Sequence, residues 1–121
     1  MTNKPDIIIG IDAGTSVVKA VAFDLTGQQI SASSIKNSYQ TGPDGSATQS
    51  LSATWDDCAA ALLGLGRKIA NLDKRTAAVA VTGQGEGTWL IDADGAPVTD
   101  AWLWLDARGA KTVEELESGP L

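Results

Sequence analysis

The chain has 121 residues, 43% of them hydrophobic and 20% charged, with a formal net charge of -6, one cysteine and no histidine. This is a globular composition, large enough for one domain around a single core. The acidic balance argues against nucleic acid or an anionic membrane as main partner. Cys58 alone excludes a disulfide framework or zinc constellation, and the lack of histidine excludes Ser-His and Cys-His catalysis and histidine metal sites.

Met1 to Pro5 runs straight into apolar sequence with no signal-peptide pattern, and no apolar run approaches the roughly 20 residues of a membrane span. A cytoplasmic location is expected. Residues 7–11 and 17–23 are short β-branched runs that predict two strands. Between them lies the polar turn Asp12-Ala13-Gly14-Thr15-Ser16, the tip of a tight hairpin. Gly14 lets a ligand approach the backbone, and the amides of Gly14, Thr15 and Ser16 suit an anion. Asp12 is a hard oxygen ligand of the kind Mg²⁺ takes, often through water. Lys19, on the second strand, adds a cation for phosphate. Equally, such a turn serves simply to join two strands, with Asp12 as a local cap. It is neither a Gly-Lys-Thr P-loop nor a three-glycine dinucleotide fingerprint.

Residues 24–28 predict a turn, 29–35 a third strand completing an antiparallel meander, and 37–49 an exposed loop rich in Ser, Thr, Gly, Pro, Asp and Gln. A helix is expected from Ser50 or Ser52, with Asp56 and Asp57 near its positive end. Trp55, Cys58, Leu62, Leu65, Ile69 and Leu72 would form its apolar stripe. Cys58 on that stripe reads as a buried small hydrophobe. The apolar run 77–82 has the composition of a central strand covered on both faces. It ends in Gly83-Gln84-Gly85-Glu86-Gly87, which presents Gln84 and Glu86. Strand-like residues 88–91, an Asp92-Ala93-Asp94-Gly95 turn, a strand over 101–105 and a short helix over 111–117 follow. Trp102 and Trp104 are expected on opposite sides of that strand, one in the core and one free to stack on a sugar. The order predicts an α/β fold with a ribonuclease-H-like (actin-like) mixed sheet: a meander, a crossover helix and additional strands. Both polar turns then fall at strand ends on one edge of the sheet.

Asp12-x-Gly14-Thr15 with Lys19 and Phe23-Asp24 resembles the first phosphate motif of the actin-like ATPase superfamily. Val81-Thr82-Gly83-Gln84, Leu90-Ile91-Asp92, Asp94-Gly95, Pro97 and Trp104-Leu105-Asp106-Ala107-Arg108 narrow the resemblance to the FGGY carbohydrate kinases. The segment from Gly83 to Ile91 looks most like the erythritol (tetritol) kinase branch. The resemblance implies that residues 1–121 are the N-terminal part of domain I of a longer kinase. The catalytic base and the C-terminal ATPase domain would lie beyond residue 121. It implies transfer of the γ-phosphoryl of ATP to a small polyol or sugar, with Mg²⁺ at Asp12 and phosphates at Gly14, Thr15, Ser16 and Lys19. The acceptor would meet Gln84, Glu86, Trp104, Asp106 and Arg108. Glu86 falls where the glycerol-kinase branch has the Glu of an Arg-Glu pair, whereas Gly85 replaces the Arg. Thr48-Gln49-Ser50-Leu51 also departs from the family's Glu-Gln-Asp-Pro.

Two rivals stand beside this. One is a nuclease on the same fold, with Asp12 and Glu86 or Asp106 in two-metal chemistry, against which the acidic charge counts. The other is a nucleotide-sensing or assembly module without turnover. Apolar surface left open by a partial domain is a route to self-association, a homodimer being the simplest case.

Overall fold

The computed structural model describes residues 4–120, which divide into two compact units. One runs to Ser38 and resumes over Ser52–Gln84; the other consists of Tyr39–Leu51 and the residues from Gly85 onward.

The first unit is a four-stranded mixed sheet in the order β3-β2-β1-β6. Strands β1 (Ile7–Ala13), β2 (Val17–Asp24) and β3 (Gln29–Lys36) form the antiparallel meander, and β6 (Thr76–Gly83) joins β1 in parallel. Period-two alternation sends Ile7, Ile9 and Ile11 of β1 and Val18, Ala20 and Ala22 of β2 to one face. There they meet Ala61, Leu65 and Ile69, and each large aliphatic so buried contributes about 1.5–3 kcal/mol. The β2–β3 turn follows its residues. Asp24 Oδ1 accepts the Thr26 and Gln28 amides, and Gly27 takes φ 88°.

Helix α1 (Leu51–Lys68) buries Thr54, Ala61 and Leu65, with Cys58 and Leu62 half-buried alongside. Two expectations for it are corrected. Trp55 is 76% exposed, one residue off the 54–58–61–65 stripe that faces the sheet. Asp56 and Asp57 lie beyond the first turn, too far along to meet the positive end of the dipole. The stripe does not continue unbroken to Leu72 either. Asn71 in the left-handed region separates α1 from a short α2 (Leu72–Arg75). Arg75 then forks onto Asp6 at 2.9 and 2.7 Å, fastening the start of β6 to the approach to β1. Arg75 holds the Asp6 carboxyl below the usual carboxylate range.

Strand β6 is where sequence and structure differ most. Among the described residues it has one neighbour, β1, and Val79 and Val81 are 51% and 67% exposed, so it is an edge and not a covered central strand. α1 lies over the β1 and β2 side chains, and the described residues leave the β6 faces open.

In the second unit, part of the expected 37–49 loop is a hairpin, β4 (Gln40–Thr41) with β5 (Ala47–Gln49), and β5 pairs with β7 (Ala101–Trp102). Its tip is Gly42–Ser46, with Gly45 at φ 83°, and Ala47 and Gln49 are buried rather than exposed. Residues 88–91 form no named strand among the described residues; they make the isolated bridges Thr88↔Trp102 and Ile91↔Pro97, and the Leu90 carbonyl accepts the Val98 amide. The Asp92–Gly95 turn forms as its sequence predicts, with Asp92 Oδ1 taking the Asp94 and Ala96 amides. The 101–105 strand is shorter than expected. Ala101 and Leu103 are buried, while Trp102 and Trp104 are 46% and 57% exposed. Both being exposed, neither is core, and the expectation of opposite sides does not hold: residues two apart in a strand share a side, and Trp104 lies in a turn beyond the end of β7. Helix α3 (Ala110–Ser118) closes the described chain, and among the described residues no helix is long and apolar enough to cross a membrane.

Candidate functional site

In the first unit the hairpin register sets Asp12 directly across from Lys19, both on the sheet face opposite α1. Parallel pairing sets Thr82 beside Asp12 and Gly83 beside Ala13, so the polar turn and the start of the glycine-rich turn lie at one end of the sheet, as predicted. A shallow groove of about 300 Å³ runs over this face, lined by Gly10, Asp12, Lys19, Val21, Phe23 and Thr82. Asp12 and Lys19 are exposed, and neither carries a side-chain hydrogen bond or ion pair among the described residues. A carboxylate and an ammonium group are therefore available where an apolar floor meets the strand ends.

The turn beside them is tight for a definite reason. A Cβ on Gly14 would lie 2.7 Å from the Val17 carbonyl oxygen, so no residue with a side chain fits without opening the turn. Ser16 is exposed, and Thr15 is half-buried. The 37–49 stretch also hides a residue that the sequence did not single out. Asn37, only 3% exposed, sits at the end of β3 and donates from Nδ2 to the Gly14 carbonyl. A polar residue following a strand that ends at Lys36 was the available signal, and loop-like composition masked it.

In the second unit Asp106 is almost wholly committed to the protein. Its Oδ2 accepts the Ala47 amide at 2.9 Å and Arg108 Nη2 at 2.7 Å, and its Oδ1 accepts the Arg108 amide and Nε at 3.1 and 3.0 Å. With a side chain 5% exposed, it ties the 101–108 segment to the β4–β5 hairpin. The Arg108 guanidinium, and after it the Ala47 amide, holds this carboxyl far below the usual carboxylate range. Arg108 in turn lies over the Trp102 ring, 3.7 Å from its centroid. Trp104 and Glu86 are exposed. Gly87 has a packing reason, since a Cβ there would meet Trp89 Nε1 at 2.8 Å and the Trp102 carbonyl oxygen at 2.9 Å. Gly85 has none, for its Cβ would meet nothing within 4 Å. Gln84 is half-buried at the end of the first unit. The nuclease alternative requires carboxylates free to share metal ions. Asp106 is spent on Arg108 and Ala47, and among the described residues no group of three or more His, Cys, Asp or Glu gathers.

Comparison with known proteins agrees with this arrangement. The N-terminal domain model of the FGGY family of carbohydrate kinases matches residues 7–120. The chain is 61% identical over 121 residues to erythritol kinase of Brucella abortus (strain 2308), covering all of this chain and 23% of that protein. It is 35% identical over 121 residues to autoinducer-2 kinase of Yersinia pestis (strain Pestoides F), covering 96% of this chain and 22% of that one. Among solved structures, xylulose kinase from Rhodospirillum rubrum superposes with a TM-score of 0.83 at 26% identity, over 93% of this chain and 23% of that one. The chain thus spans less than a quarter of the length of the curated relatives it matches. The meander with its parallel fourth strand, the glycine-only turn beside Asp12 and Lys19, and the family match over 7–120 agree: the chain belongs to the FGGY family of carbohydrate kinases.

Proposed function

We propose that this chain is the N-terminal part of domain I of an ATP-dependent kinase, which moves the γ-phosphoryl of ATP to a hydroxyl of a small polyol, erythritol being the favoured acceptor. The observation that carries the reading is the pairing of Asp12 with Lys19 beside a turn that admits only glycine at position 14. Phosphoryl transfer depends on positioning and charge neutralisation, which is what a turn, an ammonium group and a carboxylate offer. The donor set fits a hydrated Mg²⁺-nucleotide. One exposed carboxylate with no metal cage around it leaves most ligand positions to water and phosphate, as Mg²⁺ prefers. When bound, Mg²⁺ would supply charge neutralisation for the phosphates. Asp12 would orient its water shell, while Lys19 and the Gly14, Thr15 and Ser16 amides hold phosphate oxygens. The general base and the adenosine site are assigned to parts of the enzyme beyond residue 121. A cytoplasmic location goes with this reading, because the donor is ATP.

For the acceptor, Glu86 is assigned to hydroxyls and Trp104 to the carbon skeleton, with Gln84 a further contact. Asp106 and Arg108 build the cleft rather than both touching the acceptor, since Asp106 has its oxygens occupied. A Cβ at Gly85 would meet nothing within 4 Å, which supports reading the missing side chain as room for a differently shaped acceptor. Erythritol is favoured by the 61% identity with a protein named for that substrate. The test is ADP release by the intact gene product with MgATP, against erythritol, glycerol, ribitol, xylitol, L-ribulose and xylulose. Stimulation by erythritol above the others is expected, and Asp12→Ala should lower the rate by about a hundredfold or more. No stimulation by any of the six would sink the kinase reading in favour of a sensing or assembly module.

A further inference from the structure

Asn37 lies at the junction of three elements in the first unit. Its backbone amide donates to the Ser16 carbonyl at 2.8 Å, and Nδ2 donates to the Gly14 carbonyl at 3.1 Å. Nδ2 also reaches Thr54 Oγ1, on the first turn of α1, at 3.5 Å, and Oδ1 accepts the Ser38 amide at 2.9 Å. The amide orientation follows from this network, because the carbonyl and hydroxyl oxygens call for the nitrogen and the Ser38 amide for the oxygen. A buried amide needs such partners, and two of its bonds are spent on a turn 21 and 23 residues away.

From this geometry we infer that Asn37 is a positioning residue for the phosphate turn, an inference resting on the kinase reading above. In a trans peptide the C=O of one residue and the N–H of the next point in opposite directions, and the described chain has no cis bond. Drawing the Gly14 carbonyl toward buried Asn37 therefore turns the Thr15 amide the other way. Drawing in the Ser16 carbonyl fixes the next peptide likewise. The Asn37 side chain thus sets the orientation of the Thr15 amide, and its backbone pins the end of the turn at Ser16, without touching the nucleotide. It also links the turn to α1 through Thr54, so the turn is held from β3 and from the helix together.

The experiment uses the intact gene product with Asn37→Ala and the milder Asn37→Ser, whose hydroxyl can still cap locally but is too short for Gly14. Leu65→Ala, which cuts the core far from the turn, is the stability control. KM for MgATP and for the acceptor, MgADP affinity by calorimetry, and thermal unfolding are measured on each. The inference expects KM for MgATP and the MgADP dissociation constant to rise about tenfold, the order of one lost hydrogen bond, with acceptor KM unchanged. Leu65→Ala should lower the unfolding temperature while leaving nucleotide affinity alone. If both Asn37 variants bind MgADP within about twofold of an active wild type, the inference is overturned and the kinase reading stands. It is likewise overturned if nucleotide and acceptor KM rise together. A wild type that neither binds MgADP nor turns over removes the kinase reading and this inference with it. Should Asn37→Ala not fold, Asn37→Ser decides.

Discussion

Gly14→Ala isolates the contribution of turn geometry from that of charge. The new Cβ would lie 2.7 Å from the Val17 carbonyl oxygen, against 3.4 Å for ordinary contact, so the turn must open by 3.4 − 2.7, about 0.7 Å. The obstacle is backbone within a hairpin, since Ala13 and Val18 are already paired, and cannot swing aside as a side-chain tip does. Nor is φ the issue, because Gly14 is not among the glycines in the left-handed region. Misplacing a positioned group by 1 Å costs on the order of a hundredfold, so an opening of about 0.7 Å should cost roughly 10- to 100-fold in kcat/KM for MgATP. The acceptor KM should hold, since Asp12 and Lys19 keep their charges and the second unit is untouched. Steady-state ADP release at saturating acceptor with varied MgATP measures this in the intact gene product. A kcat/KM within about twofold of wild type, in a protein with unchanged unfolding temperature, would refute the reasoning.

Two further glycines in α1 should respond with opposite sign. Gly66→Ala meets nothing within 4 Å on an exposed face and should stabilise by about 0.5–1 kcal/mol through the unfolded chain. Gly64→Ala drives its Cβ to 2.9 Å from Ser33 Cβ and closer still to Ser33 Oγ, and should destabilise by about 1–3 kcal/mol. Unfolding temperatures that move in the same direction for the two would contradict the packing of α1 on β3. Asp106→Asn tests the second unit through pH. The folded pKa of Asp106 is depressed, so its stabilisation is complete above the ordinary carboxylate pKa and is lost as pH falls below about 4. The gap in unfolding temperature between wild type and Asp106→Asn should therefore be full at pH 7 and narrow on acidification. A gap that stays constant to pH 3 would mean that the charge on Asp106 is not what matters.

Sequence made some parts of the molecule legible because their causes are local. Alternating Ile and Val around a polar turn determine β1 and β2, and Asp24 and Gly27 carry their turn within five residues. The β4–β5 hairpin was hidden because its anchor is remote. Asp106 holds the Ala47 amide from 59 positions away, and no composition rule links a Ser/Gly/Pro stretch to that partner. Trp55 was misplaced for another reason: helical spacing admits two adjacent stripes, and only the contact of Ala61 and Leu65 with β1 and β2 decides between them. The β6 run failed in a third way. Its Ala and Val content describes a strand with covered faces, and the described residues do not cover them.

The candidate site shows a related limit, and a way around it. Aspartates that look alike in sequence separate by whether their oxygens are already spent. Asp6 is held by Arg75, Asp24 and Asp92 by the amides of their own turns, and Asp106 by Arg108 and Ala47. A carboxylate so engaged cannot take a ligand without giving up a bond that positions the chain, so its removal should be felt first as stability. Asp12 belongs to the other class. It ends a strand, faces Lys19 across the register and has no side-chain partner among the described residues, so the fold gains little from it. Exposed acids elsewhere, such as Asp56 or Glu117, are equally unengaged but have no glycine-only turn or facing cation beside them. An uncommitted carboxylate together with a built surround marks Asp12 as the group whose loss should reach phosphoryl transfer while the fold stands.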